Sequence, residues 1–134
     1  MADLTITAAE VLEVSGAIKR TEDASATITA GQPVYLNSST KWALCDADSA
    51  ALADCDGISL HAALENQPLT VQSGGIIDPG ATLTVGQVYA VSTNVGRIGL
   101  YSDLGSGDFV TVLGVATTVA HLPLNIINSG IAKP

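Results

Sequence analysis

Two cysteines, Cys45 and Cys55, bracket Asp46-Ala47-Asp48-Ser49-Ala50-Ala51-Leu52-Ala53-Asp54, and Asp56 comes directly after. Residues of these types can form a disulfide or collect carboxylates around a calcium ion. A bridge closing so short a loop would stabilise by about 2–3 kcal/mol if unstrained. The other reading is two small buried apolar residues, which is how free cysteine usually behaves. Synthesis in a cytoplasm favours the thiols. Cys45 ends one predicted strand and Cys55 starts the next, so both readings put the sulfurs near each other. A CxxC metal or redox motif is absent. Asp46-x-Asp48 is a fragment of a calcium loop, but the glycine and terminal Glu of an EF-hand are missing, so a solvated acidic loop is expected.

The two histidines, His61 and His121, stand at no metal-ligand spacing with another His, Cys or carboxylate. Ser102, Asp103 and His121 allow a hydrolytic triad to be drawn, but no Gly-x-Ser-x-Gly elbow supports it. Asp103-Leu104-Gly105-Ser106-Gly107-Asp108 is glycine-rich like a phosphate loop. It lacks the lysine and the helix that would hold a phosphate, and reads as a turn. The expectation is a protein that is not an enzyme, with no cofactor and no metal.

Bulk composition points the same way. The chain has 134 residues, enough for one domain. It is 47% hydrophobic but only 13% charged, so Thr, Ser, Asn and Gln must carry the surface. Such a surface repels neighbours poorly and suits a protein docked in an assembly. The net charge is −8, and only Lys19, Arg20, Lys41, Arg97 and Lys133 are basic. Nucleic acid is excluded as a partner because nothing would neutralise its phosphates. An anionic membrane surface is disfavoured for the same reason. Met1-Ala2-Asp3 is acidic with no long apolar run behind it, so no secretory signal is expected. No stretch reaches the roughly 18 apolar residues of a membrane helix.

The elements that position these residues are strands and turns, and they repeat. Thr27-Ile28-Thr29-Ala30-Gly31-Gln32-Pro33-Val34-Tyr35-Leu36 returns as Thr82-Leu83-Thr84-Val85-Gly86-Gln87-Val88-Tyr89-Ala90-Val91. Trp42-Ala43-Leu44-Cys45-Asp46 is echoed by Ile98-Gly99-Leu100-Tyr101-Ser102-Asp103, and Gly57-Ile58-Ser59-Leu60 by Gly114-Val115-Ala116-Thr117. Period-two alternation around a Gly-Gln turn marks half-buried strands. One such unit cannot bury its own apolar face, so two copies packed in one domain are expected, with Gly31 matching Gly86 and Tyr35 matching Tyr89. Strands are predicted at 25–29, 34–37, 41–45, 57–61, 68–72, 75–77, 82–92, 97–101, 109–117 and 122–127. A helical turn or two is predicted near Ser49–Asp54, and a frayed tail from Gly130 to Pro134. Ala8 to Arg20 reads as either a helical turn or an extended arm. The fold class is all-β, a compact sandwich or small barrel, with residues 1–20 as an arm or edge segment and 21–134 as one domain. The predicted core is Trp42, Leu44, Ile58, Leu60, Val71, Leu83, Leu100, Val110, Val112 and Val115.

The order of motifs carries a resemblance. Ala-Asp-Leu-Thr-Ile-Thr at residues 2–7 precedes the Thr27–Leu36 segment and the Ala/Asp-rich insert. Asp56-Gly57-Ile58-Ser59-Leu60, Gln67-Pro68-Leu69-Thr70-Val71, Gly80 to Tyr89 and Leu104-Gly105-Ser106-Gly107-Asp108-Phe109-Val110 come next. In this order, over nearly the whole chain, they resemble small virion proteins of tailed bacteriophages, of the capsid decoration or cement type. The resemblance implies a β-rich, β-tulip-like fold and binding to the outer surface of the assembled capsid. Its partner would be the major capsid protein, and its task the bracing of joints between capsomers. It also implies a homo-oligomer, a trimer in preference to a dimer, made in the host cytoplasm and resident on the virion. The family has no catalytic residues to carry over. The cysteine pair belongs to none of its motifs.

An arm bearing Leu4, Ile6, Val11 and Leu12 could add a strand to a neighbour's open sheet edge, which makes these the candidate capsid or neighbour contacts. On that view, residues 2–14 serve attachment more than folding. Two rivals stand beside this reading. A phage tail-tip or fibre component gripping a host receptor or sugar needs an exposed aromatic platform, built from Tyr35, Trp42, Tyr89, Tyr101 or Phe109. A small hydrolase or sugar-binding barrel needs a carboxylate pair facing a cleft.

Overall fold

In a computed structural model describing residues 2–134, the chain is all-β: antiparallel strands form one curled sheet, a half-barrel. A short 3-10 turn, Ala8–Glu10, leads into β1 (Val11–Asp23). β2 (Pro33–Leu36), β3 (Trp42–Leu44), helix α1 (Ala50–Ala53) and β4 (Gly57–Ser59) form a first unit, which ends against β5 (Pro68–Pro79). β6 (Val88–Val91), β7 (Ile98–Leu100), a second 3-10 turn (Tyr101–Asp103) and β8 (Phe109–Val115) form a second unit, which ends against β9 (Leu122–Ala132). The strand order is β3-β2-β4-β5-β9-β8-β6-β7, with β1 paired to β5.

The order shows the duplication. In each unit a central strand (β2, β6) lies between its hairpin partner (β3, β7) and the returning strand (β4, β8). Leu36 faces Trp42 as Val91 faces Ile98, and Val34 faces Gly57 as Tyr89 faces Gly114. The Gly31 N–H donates to Ser59 O and the Gly86 N–H to Ala116 O, both at 2.8 Å. Gly31 and Gly86 sit at φ +81° and +82°, a conformation an L side chain rarely adopts. The expected match of Tyr35 with Tyr89 fails. With the glycines aligned, Tyr89 corresponds to Val34 and Tyr35 to Ala90, and one residue along a strand is the opposite face.

The main core holds Ile58, Ile77, Leu83, Tyr89, Val91, Ile98, Leu113 and Leu122. A smaller one lies within the first unit: Ile28, Val34, Trp42, Leu69 and Val71, with the Trp42 indole N–H donating to Leu69 O at 3.1 Å. Trp42, Ile58, Val71 and Leu83 are buried as expected, and Leu44, Leu60 and Leu100 are half-buried. The β8 phase is the reverse of expectation. Thr111 and Leu113 are buried, Val110 and Val112 are half-buried, and Val115 is exposed. Thr111 is tolerated inside because its hydroxyl donates to the Ala53 carbonyl. Past Val112 a register shift against β9 resets the alternation.

Some boundaries also differ. Residues 25–29 make one isolated bridge, Ile28 to Ala63, rather than a strand, and the long strand expected from Thr82 narrows to Val88–Val91. The tail does not fray. β9 runs to Ala132, and the Lys133 ammonium donates to Leu104 O at 2.7 Å while sitting 4.6 Å from the Tyr101 ring centre.

The N-terminal segment is extended but not detached. β1 pairs with β5 from Val11 to Asp23, so residue 20 falls inside a continuous strand. Val11 belongs to the main core because its side chain closes the space over Gly31 and Gly80.

Candidate functional site

Both cysteines are free thiols, and both are buried. Cys45 lies just after β3 and Cys55 precedes β4, on either side of β2. The Cys55 thiol donates toward Val34 O (3.5 Å) and Gly57 O (3.4 Å), and the Cys55 N–H donates to the Asn128 amide oxygen at 2.9 Å. Burial, then the neighbouring Cys55 side chain, pushes the Cys45 thiol far above its usual range. Thiols held neutral in this way are poor nucleophiles and poor metal ligands.

Asp46, Asp56, His61 and Asp108 accept from backbone N–H groups. Asp46 accepts from the Asp48 N–H (2.9 Å), and Asp56 from the Leu36 N–H (2.7 Å). His61 Nε2 accepts from the Thr70 N–H at 3.0 Å. Asp108 closes its glycine-rich turn by accepting from the Gly105 N–H at 2.7 Å, so that loop is locked by its own carboxylate. Ser102 and Asp103 are exposed on the second 3-10 turn, while His121 stands beyond β8, just before β9. Among the described residues, no cluster of His, Cys, Asp and Glu is arranged to hold a metal ion, and no helix is long and apolar enough to cross a membrane.

The exposed apolar side chains trace a surface instead. β1 pairs with β5 alone among the strands, and Val11 is its only buried residue. Leu12, Val14 and Ile18 stand 60%, 40% and 64% exposed along it. Register shifts between Glu13 and Lys19 make β1 bulge at Gly16, and the Lys19 ammonium spans the bulge to Glu13 at 2.8 Å. A bulge strengthens local twist and re-aims side chains, so Val14 and Ile18 project from a fixed bend. Ile127 and Ile131 on β9 are also exposed, as are Leu64, Val85, Val95, Val115 and Val119 elsewhere.

Of the predicted contacts, Leu12 lies on this surface. Leu4 and Ile6 are half-buried against the protein's own core, and Val11 is inside it. Val14 and Ile18 were not singled out from the sequence. Their signal was an apolar pair flanking Gly16 in a segment of undecided structure.

The fold and this surface define an all-β half-barrel of two like units edged by a long, apolar-studded strand. No known family, no curated protein and no solved structure matches the chain.

Proposed function

We propose that this protein is a structural virion component that binds the outer surface of an assembled phage capsid and stabilises the joints between capsomers. It acts as a homo-oligomer, a trimer in preference to a dimer, with the major capsid protein as partner and without catalysis. The observation that carries this reading is β1: 13 residues, paired to a strand on one side only, with Leu12, Val14 and Ile18 in water. Long edge strands left open are a liability that free-standing proteins manage explicitly. Here the bulge and the charged Glu13, Lys19 and Arg20 blunt backbone pairing at the edge, so the exposed side chains of Leu12, Val14 and Ile18 are what another chain would meet. The sparsely charged surface and the order of motifs along the chain support the same reading.

The contact on this view is made by the side chains of β1, not by residues 2–7, which the protein engages itself. The tail-component alternative has less support. Trp42 and Tyr89 are buried and Tyr35, Tyr101 and Phe109 half-buried, so no aromatic platform faces solvent.

The test is decoration of purified particles seen by electron microscopy. Leu12→Glu with Ile18→Glu should abolish occupancy while leaving the circular dichroism spectrum unchanged. Protein found only on tails, or full occupancy by the double variant, would overturn the reading.

A further inference from the structure

The two cores sit on opposite faces of the sheet. Residues opposite each other in a ladder share a face, and residues adjacent in a strand do not. Ile77 pairs with Leu122, and both line the main core, as do Ile58 and Tyr89. On the other face, in the first half of the sheet, Val34 pairs with Leu44 and Leu36 with Trp42, and the smaller core forms there. Its cover is irregular chain: Ala24, Ile28 and Ala63 cluster with Val34, Trp42 and Val71.

The second half of that face carries an apolar row instead. Ile76 pairs with Pro123 and Val88 with Val115, and the Gly114–Leu124 pair sets Val115 beside Pro123. The row therefore crosses β5, β9, β8 and β6, pointing away from the main core. Val115 is 44% exposed, and Ile76, Pro123 and Val88 are half-buried. Ile58, the first-unit equivalent of Val115, is fully buried. Leu12, opposite Asp78, and Ile18, whose side chain lies over Gly74, carry the same face onto β1. From Leu12 to Val88 it spans five strands, roughly 19 Å at about 4.8 Å per step.

The occupant follows from what this face offers. Each strand of the row has a neighbour on both sides, so no open edge invites a further strand, and a partner must meet side chains. No charged side chain stands in the row, so a charged partner surface would lose water there without gaining a pair. The first half of the same face is covered by aliphatic Ala24, Ile28 and Ala63, which shows the chemistry that fits. Leu12 and Ile18 join the row to the surface already assigned to the capsid. We propose that the docking surface continues from β1 across Ile76, Pro123, Val115 and Val88, and that an uncharged, aliphatic surface of the major capsid protein covers it. This rests on the capsid reading and adds where the partner sits. A standard interface takes about 800 Å² from each partner, more than these six side chains supply, so binding draws on several copies acting together.

The experiment decorates purified particles, stripped of this protein, with the full chain carrying Val115→Glu, and with Val95→Glu as control. Val95 is exposed to a similar degree, 56%, but lies off the row. Val115→Glu should weaken binding about tenfold or more with an unchanged circular dichroism spectrum, because the new carboxylate is desolvated without a partner. Val95→Glu should bind as the unaltered protein does. Undiminished binding by Val115→Glu, or equal losses in both variants, would overturn the proposal and leave the capsid reading standing. An unaltered protein that never coats heads would overturn both. If Val115→Glu fails to fold, carbene footprinting of the unaltered chain decides. Val115 and Pro123 should lose most of their labelling on particles, while Leu64, exposed elsewhere, keeps it. Unchanged labelling of Val115 would overturn the proposal. So would protection of Val115 in free protein that grows with concentration, since a second copy would then be the occupant.

Discussion

The two units share a strand plan but close it differently. The first shelters Val34 and Trp42 under chain continuous with it, Ala24 and Ile28 on one side and Ala63 and Leu69 on the other. The second places the equivalents, Tyr89 and Ile98, in the main core, against which Leu4 and Ile6 also pack. The units also share a core and hydrogen bonds, with Cys45, Ala47 and Ile58 in the main cluster and the Ala47 N–H donating to Ser92 O. Duplication keeps the strand order and the Leu36–Trp42 and Val91–Ile98 pairs, while the β6–β8 ladder carries a register shift that β2–β4 lacks. The cover over each face is left to whatever chain is near.

The sharpest way to break the comparison is at its most conserved contact. Gly57 and Gly114 hold equivalent positions, and a Cβ on either would fall on a neighbouring backbone oxygen, of Gln72 and of Pro123 respectively. Backbone cannot yield as a side chain can, so Gly57→Ala and Gly114→Ala should each cost about 3 kcal/mol in chemical denaturation. A large loss at one and none at the other would show that the units are not equivalent there.

Within the second unit, Leu113 and Val112 test the phase of β8. Leu113 is fully buried and Val112 is not. Leu113→Ala should cost about 3 kcal/mol and Val112→Ala about 1 kcal/mol or less, read from the same denaturation curves. The reverse order would restore the alternation expected from sequence.

A third test compares the residues at the ends of β3 and β7. The first unit buries Cys45, where the second keeps Tyr101 half-exposed beneath Lys133. Burial raises the folded Cys45 pKa, so the folded state retains its proton where the unfolded state loses it. The associated stability is complete below about pH 8.5 and declines above it, by up to about 1.4 kcal/mol per pH unit. Unfolding free energies measured from pH 8 to 10 should show that decline, and Cys45→Ala should flatten it. A slope unchanged in the variant would assign the loss to other groups.

The smallest effect separates the turns. Gly86→Ala should cost about 1 kcal/mol for its positive φ alone. Gly31→Ala should cost more, because the new methyl also meets Ile6. Equal shifts in melting temperature would show that Ile6 does not bear on the first unit's turn.

Much of the frame was legible in the chain. The Gly-Gln echo located two turns, the period-two runs located most strands, and the helix-prone Ala/Asp insert located α1. These are local properties: positive φ, alternation and propensity act over a few residues. Tertiary structure decided what local rules leave open. Val11 is core only because Gly31 and Gly80 leave space beneath it. Thr111 is inside only because a carbonyl from α1 reaches it. Cys45 and Cys55 are thiols whose surroundings come from strands on both sides of β2. Leu4 lies on β7 through a partner 94 residues away, the separation of Leu4 from Ile98. No window of sequence contains both ends of such a contact. Closing so long a loop is favourable only when the rest of the sheet already holds the ends together.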